Sequence, residues 1–391
     1  MREEFLNVAE SPMVQIATIA ESMPGSLKLC YGESDLPTPR FICDAMTEAA
    51  LAGHTFYTHT AGTRELRQAI ADKVFELHRV RYDIAEIMAT VGGTLAIYTA
   101  IRTFVGRGDN AVIVSPAYAI FSNAVIMAGG EPRPASLALH GKRFVLDLDR
   151  VRAAIDPNTR MLIVNSPSNP TGWVISADEQ RALVEIAERH DLVILADEVY
   201  ERLVYDDEPQ GALRVAPSFA RVEIDRDRLI VINSFSKNYN MTGWRLGWAQ
   251  ASARTIKTMY KAAEFITSNP AAMVQQAGIV ALRDGESWIA QLRDHYARRR
   301  AQVKTALESI PGVTLPDPQG AFYAFPRFSF ITDSAAFTAE LVRDTGVALA
   351  PGVGFGTDGE GYIRVCFASS EATVSEALAR LQTFVINRRS S

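Results

Sequence analysis

Lysine is scarce in this chain, seven residues against thirty-three arginines, and one of them stands where a reactive amine could work. Lys237 closes Ser234-Phe235-Ser236-Lys237, directly after the apolar run Leu229–Asn233. A lysine just past a buried strand is partly desolvated, which lowers its pKa and lets it attack a carbonyl to form a Schiff base. A surface-loop lysine has the same local sequence. Asp197-Glu198-Val199-Tyr200 follows a second apolar run, Leu192–Ala196. A carboxylate there could bind a metal, act as a base, hold a cationic nitrogen, or simply cap a helix. None of the six histidines stands in ligand spacing with it, so the metal reading has no companions.

Val91-Gly92-Gly93-Thr94 opens a helical run. Two glycines there let backbone N–H groups and the positive helix end hold an anion, with the Thr94 hydroxyl beside them. The run lacks the Gly-Lys of a Walker loop and the spacing of GxGxxG, and a plain turn is the alternative. Arg245, in Trp244-Arg245-Leu246-Gly247, stands eight residues beyond Lys237, near enough to share one anion with that loop. Asn169 sits in Asn165-Ser166-Pro167-Ser168-Asn169-Pro170-Thr171-Gly172, a stiff turn after a third apolar run, and can donate its amide hydrogens into a cleft. Arg364, in Tyr362-Ile363-Arg364-Val365, suits bidentate capture of a carboxylate, or a strand-edge ion pair.

The elements that must carry these groups follow from the apolar pattern. Ala111–Ser115, Met161–Asn165, Leu192–Ala196 and Leu229–Asn233 are short, rich in Val and Ile, and bounded by polar residues. Such runs are buried on both faces, as in a parallel sheet covered by helices. Between the second and third, Ser176 and Glu179 make a capping box for a helix whose stripe is Leu183, Ile186 and Ala187. Repeated βα units of this kind bind ligands beyond the carboxyl ends of their strands. After Asn269-Pro270 long helices follow, broken at Arg283-Asp284-Gly285; the run Arg298-Arg299-Arg300 is read as a solvated face. A smaller α+β unit ends in a helix around 372–384, and the segment 27–41 is expected to join it. The expected division is an N-terminal arm, 1–44, contributing to the small domain, a large domain over 45–285, and a small C-terminal domain over 286–391.

Composition narrows the function. The chain has 391 residues, 48% hydrophobic and 22% charged, enough for two or three domains with real cores. A net charge of −5 disfavours nucleic acid, which calls for a basic stripe. No apolar run approaches the roughly 18 residues of a membrane span, and the N-terminus carries no signal region. Cys30, Cys43 and Cys366 lie far apart without metal spacing, so a reducing cytoplasm is the expected compartment.

Together the motifs resemble the class I/II aminotransferases of pyridoxal-phosphate (PLP) fold type I, nearest the aspartate/aromatic branch. The resemblance runs from Gly32-Glu33-Ser34-Asp35-Leu36-Pro37 to Gly361-Tyr362-Ile363-Arg364. It implies a large domain with a mainly parallel mixed sheet flanked by helices, a smaller α+β domain, and PLP as cofactor. It implies that Lys237 forms the Schiff base and then moves the substrate's Cα proton. Asp197 would pair with the pyridinium nitrogen, and Tyr200 and Asn169 with the phenolic oxygen. Gly92, Gly93, Thr94, Ser234, Ser236 and Arg245 would surround the phosphate, and Tyr118 would stack on the ring. Tyr57 would reach the phosphate of a neighbouring subunit, making the unit a homodimer with shared sites. Arg364, Asn169 and Gly32 would hold the substrate α-carboxylate, and Arg102, on the helix after the glycine loop, is a candidate for a distal carboxylate. The activity implied is amino-group transfer from an L-amino acid to a 2-oxo acid, 2-oxoglutarate or pyruvate, by a ping-pong mechanism. The same site also suits a carbon–sulfur β-lyase of the cystathionine type.

Overall fold

A computed structural model describes residues 3–8, 10–205 and 213–390. Its central sheet has seven strands: β1 (Ile87–Thr90), β2 (Asn110–Ser115), β3 (Glu131–Ser136), β4 (Thr159–Asn165), β5 (Val193–Asp197), β6 (Leu229–Ser234) and β7 (Gly247–Gln250). Their spatial order is β1-β7-β6-β5-β4-β2-β3. The four strands expected from the apolar runs are β2, β4, β5 and β6. They pair in parallel, with Ala111 opposite Met161, Ile163 opposite Leu195 and Leu195 opposite Ile230. Only β7 is reversed, with Gly247 facing both Thr90 and Ser234. The carboxyl ends of β1, β2, β4, β5 and β6 and the amino end of β7 therefore share one edge. Most of the motifs singled out in the sequence lie on it.

Alternation along each strand sends residues to opposite faces of the sheet. Val112, Leu162 and Ile194 pack on one side with Leu183, Ile186 and Ala187 of the helix Ala177–Arg189. Ile113, Ile163 and Leu195 pack on the other with Ile97 and Ile101 of the helix Gly92–Phe104. Each such side chain contributes about 1.5–3 kcal/mol on full burial. The capping box forms as expected: Ser176 Oγ accepts from the Glu179 amide at 3.2 Å, and a Glu179 carboxylate oxygen accepts from the Ser176 amide at 2.7 Å.

The long helices Ala272–Asp284 and Glu286–Glu308 break where expected, at Gly285. The arginine run corrects the reading as a solvated face. Only Arg298 is exposed; Arg299 is buried with an ion pair to Glu371 at 2.8 Å, and Arg300 bonds Asp317 at 2.9 Å. A helix turns about 100° per residue, so three consecutive residues cannot share one face. Beyond this helix, Tyr323–Ala324, Ile363–Cys366 and Ala350–Pro351 form a three-stranded sheet. Leu27–Lys28 pairs in parallel with Val347–Ala348, which joins the N-terminal segment to that unit. The last helix, Glu371–Ser390, buries Val374, Ala377, Leu378, Leu381 and Phe384. No helix among the described residues is long and apolar enough to cross a membrane.

Candidate active site

The shared strand edge and the second unit enclose a cavity of about 690 Å³. Gly93, Thr94, Tyr118, Asn165, Asn169, Asp197, Tyr200, Ser234, Ser236, Lys237 and Arg245 reach it from the sheet side. Cys30, Gly32, Tyr323 and Arg364 reach it from the other.

Lys237 ends the first turn after β6, and Ser234 Oγ caps that turn by accepting from the Ser236 amide at 3.1 Å. Its Nζ donates to the Gly32 carbonyl at 2.5 Å and lies 5.7 Å from the Tyr200 ring centroid. Burial, which penalises the ammonium, lowers its pKa to about 8. Asp197, the last residue of β5, is buried. Its side chain accepts only a 3.3 Å bond from the Val199 amide among the described contacts, and no cation pairs with it. Burial raises its pKa to about 7. An anion buried in this way lacks the positive partner its position calls for.

Tyr200 is three residues on, on the same turn. Its hydroxyl meets that of Tyr323 at 2.8 Å, and burial holds the phenol well above its ordinary range. Arg364 is among the largest fully buried side chains. Its Nη1 donates to Asn169 Oδ1 at 2.9 Å, its Nη2 donates to the Cys30 carbonyl, and its Nε is buried without a partner. The guanidinium stands 4.6 Å from the Tyr323 ring centroid and 4.9 Å from that of Phe355. A buried guanidinium bonded only to neutral oxygens still lacks an anion.

The glycine loop starts the helix Gly92–Phe104 as expected. Gly92 has φ +72°, and a Cβ there would collide with the Arg245 guanidinium, so glycine is what lets Arg245 lie over the helix N-terminus. Arg245 itself has φ +55°, held by a bond from its Nη1 to the Thr242 carbonyl at 2.7 Å. The single hydroxyl hydrogen of Ser234 can go to Ser236 Oγ at 2.9 Å or to the Leu246 carbonyl at 3.2 Å, and either way the Ser236 hydroxyl can turn its hydrogen toward an anion.

The residues present fit PLP. Asp197 faces the cavity as a buried carboxylate without a cation. Amide and guanidinium donors gather around Gly92 for a phosphate, and Lys237 offers a desolvated amine between them.

Three expected residues do not line this cavity: Gly92 sits just behind it under the Arg245 guanidinium, and two others are not brought to it by the chain itself. Tyr57 is 90% exposed in the loop before helix Arg64–His78. Arg102 is exposed, and its Nη1 donates to the Ala128 carbonyl at 3.1 Å. Eight residues beyond Thr94, it lies roughly 12 Å further along the helix axis, which corrects its reading as a substrate ligand within this chain. Sequence reasoning missed Tyr323 and Asn165. Tyr323 pairs with Cys366, two residues from Arg364, so the two share a strand face; that register is invisible without the pairing. Asn165 Nδ2 donates to the Asp197 carbonyl at 3.0 Å while its Oδ1 accepts from the Asn169 amide at 2.8 Å. It stands at the head of its motif, but only its contacts reveal that it ties the two loops together.

A mainly parallel sheet with a lysine, a carboxylate and an anion cradle at one strand edge is the arrangement of a PLP-dependent enzyme. Residues 24–381 match the family "Aminotransferase class I and II", and the chain belongs to that family. It is 33% identical to an aspartate aminotransferase of Pyrococcus horikoshii, over 97% of this chain and 96% of the relative. It is 34% identical to aromatic-amino-acid aminotransferase 2 of Thermococcus litoralis, over 97% and 96%. A solved mutant of Thermus thermophilus aspartate aminotransferase superposes with a TM-score of 0.90 at 31% identity, covering 98% of this chain and 99% of that one. The protein is thus an aminotransferase that uses PLP and acts on amino acids and 2-oxo acids.

Proposed function

We propose that this enzyme moves the amino group of aspartate or an aromatic L-amino acid to 2-oxoglutarate or pyruvate by a ping-pong mechanism. The observation that carries the reading is that Lys237, Asp197 and Arg364 line one cavity, the last two buried and Lys237 half-buried, and that none of them has a partner of opposite charge among the described contacts. PLP, when bound, condenses with amines and draws electron density away from the substrate Cα, which acidifies its proton. Lys237 Nζ takes that proton and returns it, a role that needs a base with pKa near the working pH. Asp197 holds the pyridinium nitrogen, and Tyr200 and Asn169 bond the phenolic oxygen. Gly92, Gly93, Thr94, Ser236 and Arg245 hold the phosphate, with Ser234 setting the turn, and Tyr118 covers the ring. Arg364 clamps the α-carboxylate, with Asn169 and the Gly32 backbone beside it.

Arg364→Lys is expected to raise KM for amino acid and 2-oxo acid alike, lowering kcat/KM by about 10²-fold or more, because a lysine cannot reproduce the planar fork. The visible band of the bound cofactor should stay as in the wild type. A loss of that band together with the activity would move Arg364 from substrate to cofactor.

The exposed apolar side chains Leu51, Phe56, Tyr57, Phe265 and Ile266 support a homodimer. Two cross-contacts tie their segments together: Gln275 Nε2 bonds Thr58 Oγ1 at 2.9 Å, and the His59 and Tyr260 rings lie 5.9 Å apart. In such a dimer Tyr57 would enter the partner's site. The pairing of Leu27–Lys28 with Val347–Ala348 supports an N-terminal arm that joins the C-terminal unit, whereas the helix Arg40–Leu51 crosses the expected boundary at 44; three free thiols accord with the cytoplasm.

The direct test is the visible spectrum of the PLP-loaded protein as single L-amino acids are added. The band should bleach with an aspartate or aromatic donor and return with 2-oxoglutarate or pyruvate. A protein that PLP never turns yellow, or pyruvate released from cystathionine without an acceptor, would overturn the reading.

A further inference from the structure

The turn that carries Asp197 and Tyr200 also carries two carboxylates that point away from the cavity. Glu198 follows Asp197, Glu201 follows Tyr200, and both are buried. Glu198 accepts from the Ser218 hydroxyl at 2.6 Å and from the Phe219 amide at 2.8 Å. Glu201 meets Nε2 of His78, the last residue of helix Arg64–His78, at 2.9 Å. Nitrogen and oxygen atoms of these three side chains lie within 4.8 Å of one another. The backbone locks the same turn: the Glu198 amide donates to the Ile232 carbonyl of β6 and the Glu201 amide to the Glu198 carbonyl, each at 2.9 Å.

The charged side chains around this group have partners of opposite charge, except for the exposed Arg221, which bonds a neutral carbonyl. Arg202 donates to both carboxylate oxygens of Glu286, at 2.9 and 2.7 Å, and Lys73 bridges Glu286 and Glu76 at 3.1 and 2.7 Å. Arg226 is paired with Glu86 at 2.7 Å, and Arg221 donates to the Leu77 carbonyl at 2.7 Å. The phenols of Tyr82 and Tyr239 also face the group, and burial keeps both protonated far above neutrality. Two carboxylates are left facing one imidazole.

We propose, resting on the reading of the site given above, that Glu198, His78 and Glu201 form one buried proton-sharing unit that positions the Asp197–Tyr200 turn and holds protons on the site's cationic groups. Burial lifts the Glu198 carboxyl to about 7, with His78 opposing the rise and Glu201 adding to it, so Glu198 gains or loses its proton near neutrality. A buried charge acts through an effective dielectric near 20 rather than 80, so the next residues along the turn feel it. While ionised, the unit favours the protonated form of cations in the cavity. Without its charge those cations release their protons at lower pH.

The test is a pH titration of the visible band of the PLP-loaded protein, with Tm measured alongside. Glu198→Gln removes the charge at nearly constant shape, its amide oxygen still accepting from Phe219 and its NH₂ donating to Ser218 Oγ, while the Ser218 hydroxyl hydrogen must find another acceptor. The midpoint is expected to fall by roughly half a unit to one unit with little change in Tm. Ser218→Ala removes the hydroxyl that favours the ionised carboxylate, and should shift the midpoint the same way by less. If Glu198→Gln does not fold, Ser218→Ala decides alone. A midpoint that stays within about 0.2 units of wild type, or rises, overturns the inference, whatever happens to Tm. A wild type that shows no visible band sinks the reading of the site itself, whereas a band that does not move in the variants sinks only this inference.

Discussion

Lys237→Ala is expected to lose turnover by about 10⁴-fold or more, since one side chain supplies both the attachment of the cofactor and the proton transfer at Cα. The protein should fold: the Nζ makes a single bond, to the Gly32 carbonyl, and the neighbouring Ser234 and Ser236 contacts do not use it. Cofactor held without the covalent link should have the spectrum of free PLP rather than the red-shifted band. The pKa gives the wild type a further signature. Only the free amine attacks a carbonyl, and a pKa near 8 instead of 10.5 raises its share near pH 7 by about 300-fold. The rate at which cofactor-free protein takes up PLP should therefore climb about tenfold per pH unit up to about 8 and level off above it. A climb that continues unbroken to pH 10 would show an ordinary lysine there, and normal turnover by the alanine variant would remove Lys237 from the mechanism.

The places where the sequence was legible share a physical cause. The middles of β2, β4, β5 and β6 are buried on both faces and take apolar residues, with polar residues only toward their ends, so their runs and ends stand out. The motifs at those ends were legible as well, because a glycine at positive φ, a capping serine and an Asn-Pro turn are demands of the backbone. What stayed hidden depends on contacts between distant segments. The reversal of β7 leaves no mark on Gly247–Gln250, whose residues suit either direction. Tyr323 reads as one more aromatic beside Phe322 until its pairing with Cys366 puts it on the face of Arg364. Arg102 misled for the opposite reason, since its helix was right but its distance from the helix N-terminus and its bond to Ala128 were not visible. Glu198 and Glu201 sit in the same motif as Asp197 and Tyr200, yet only their partners Ser218, Phe219 and His78 show that they face away.

Asp197→Asn should separate function from stability at one position. Asparagine keeps the shape and can still accept from the Val199 amide, but it cannot carry the charge. Opposite charges about 4 Å apart attract by roughly 4 kcal/mol at an effective dielectric of 20, so the pyridinium would lose about three units of proton affinity. The expected result is a fall in kcat/KM of about 10³-fold, with Lys237 still able to attach the cofactor. Stability of the cofactor-free protein should move the other way. The carboxyl of Asp197 titrates near 7 in the fold against 3.8 in the unfolded chain, so between those values the folded state binds the extra proton. Stability from this group therefore falls as pH rises from about 4 to 7, by up to about 4 kcal/mol in all, and stays low above that. The asparagine variant escapes the loss. Its Tm relative to wild type, both without cofactor, should be higher at pH 8 than at pH 4.5. An equal difference at the two pH values would mean that Asp197 is ionised at both, with a cation beside it. The carboxylate is a burden on the fold until a positive nitrogen arrives, and that same imbalance draws the pyridinium into place.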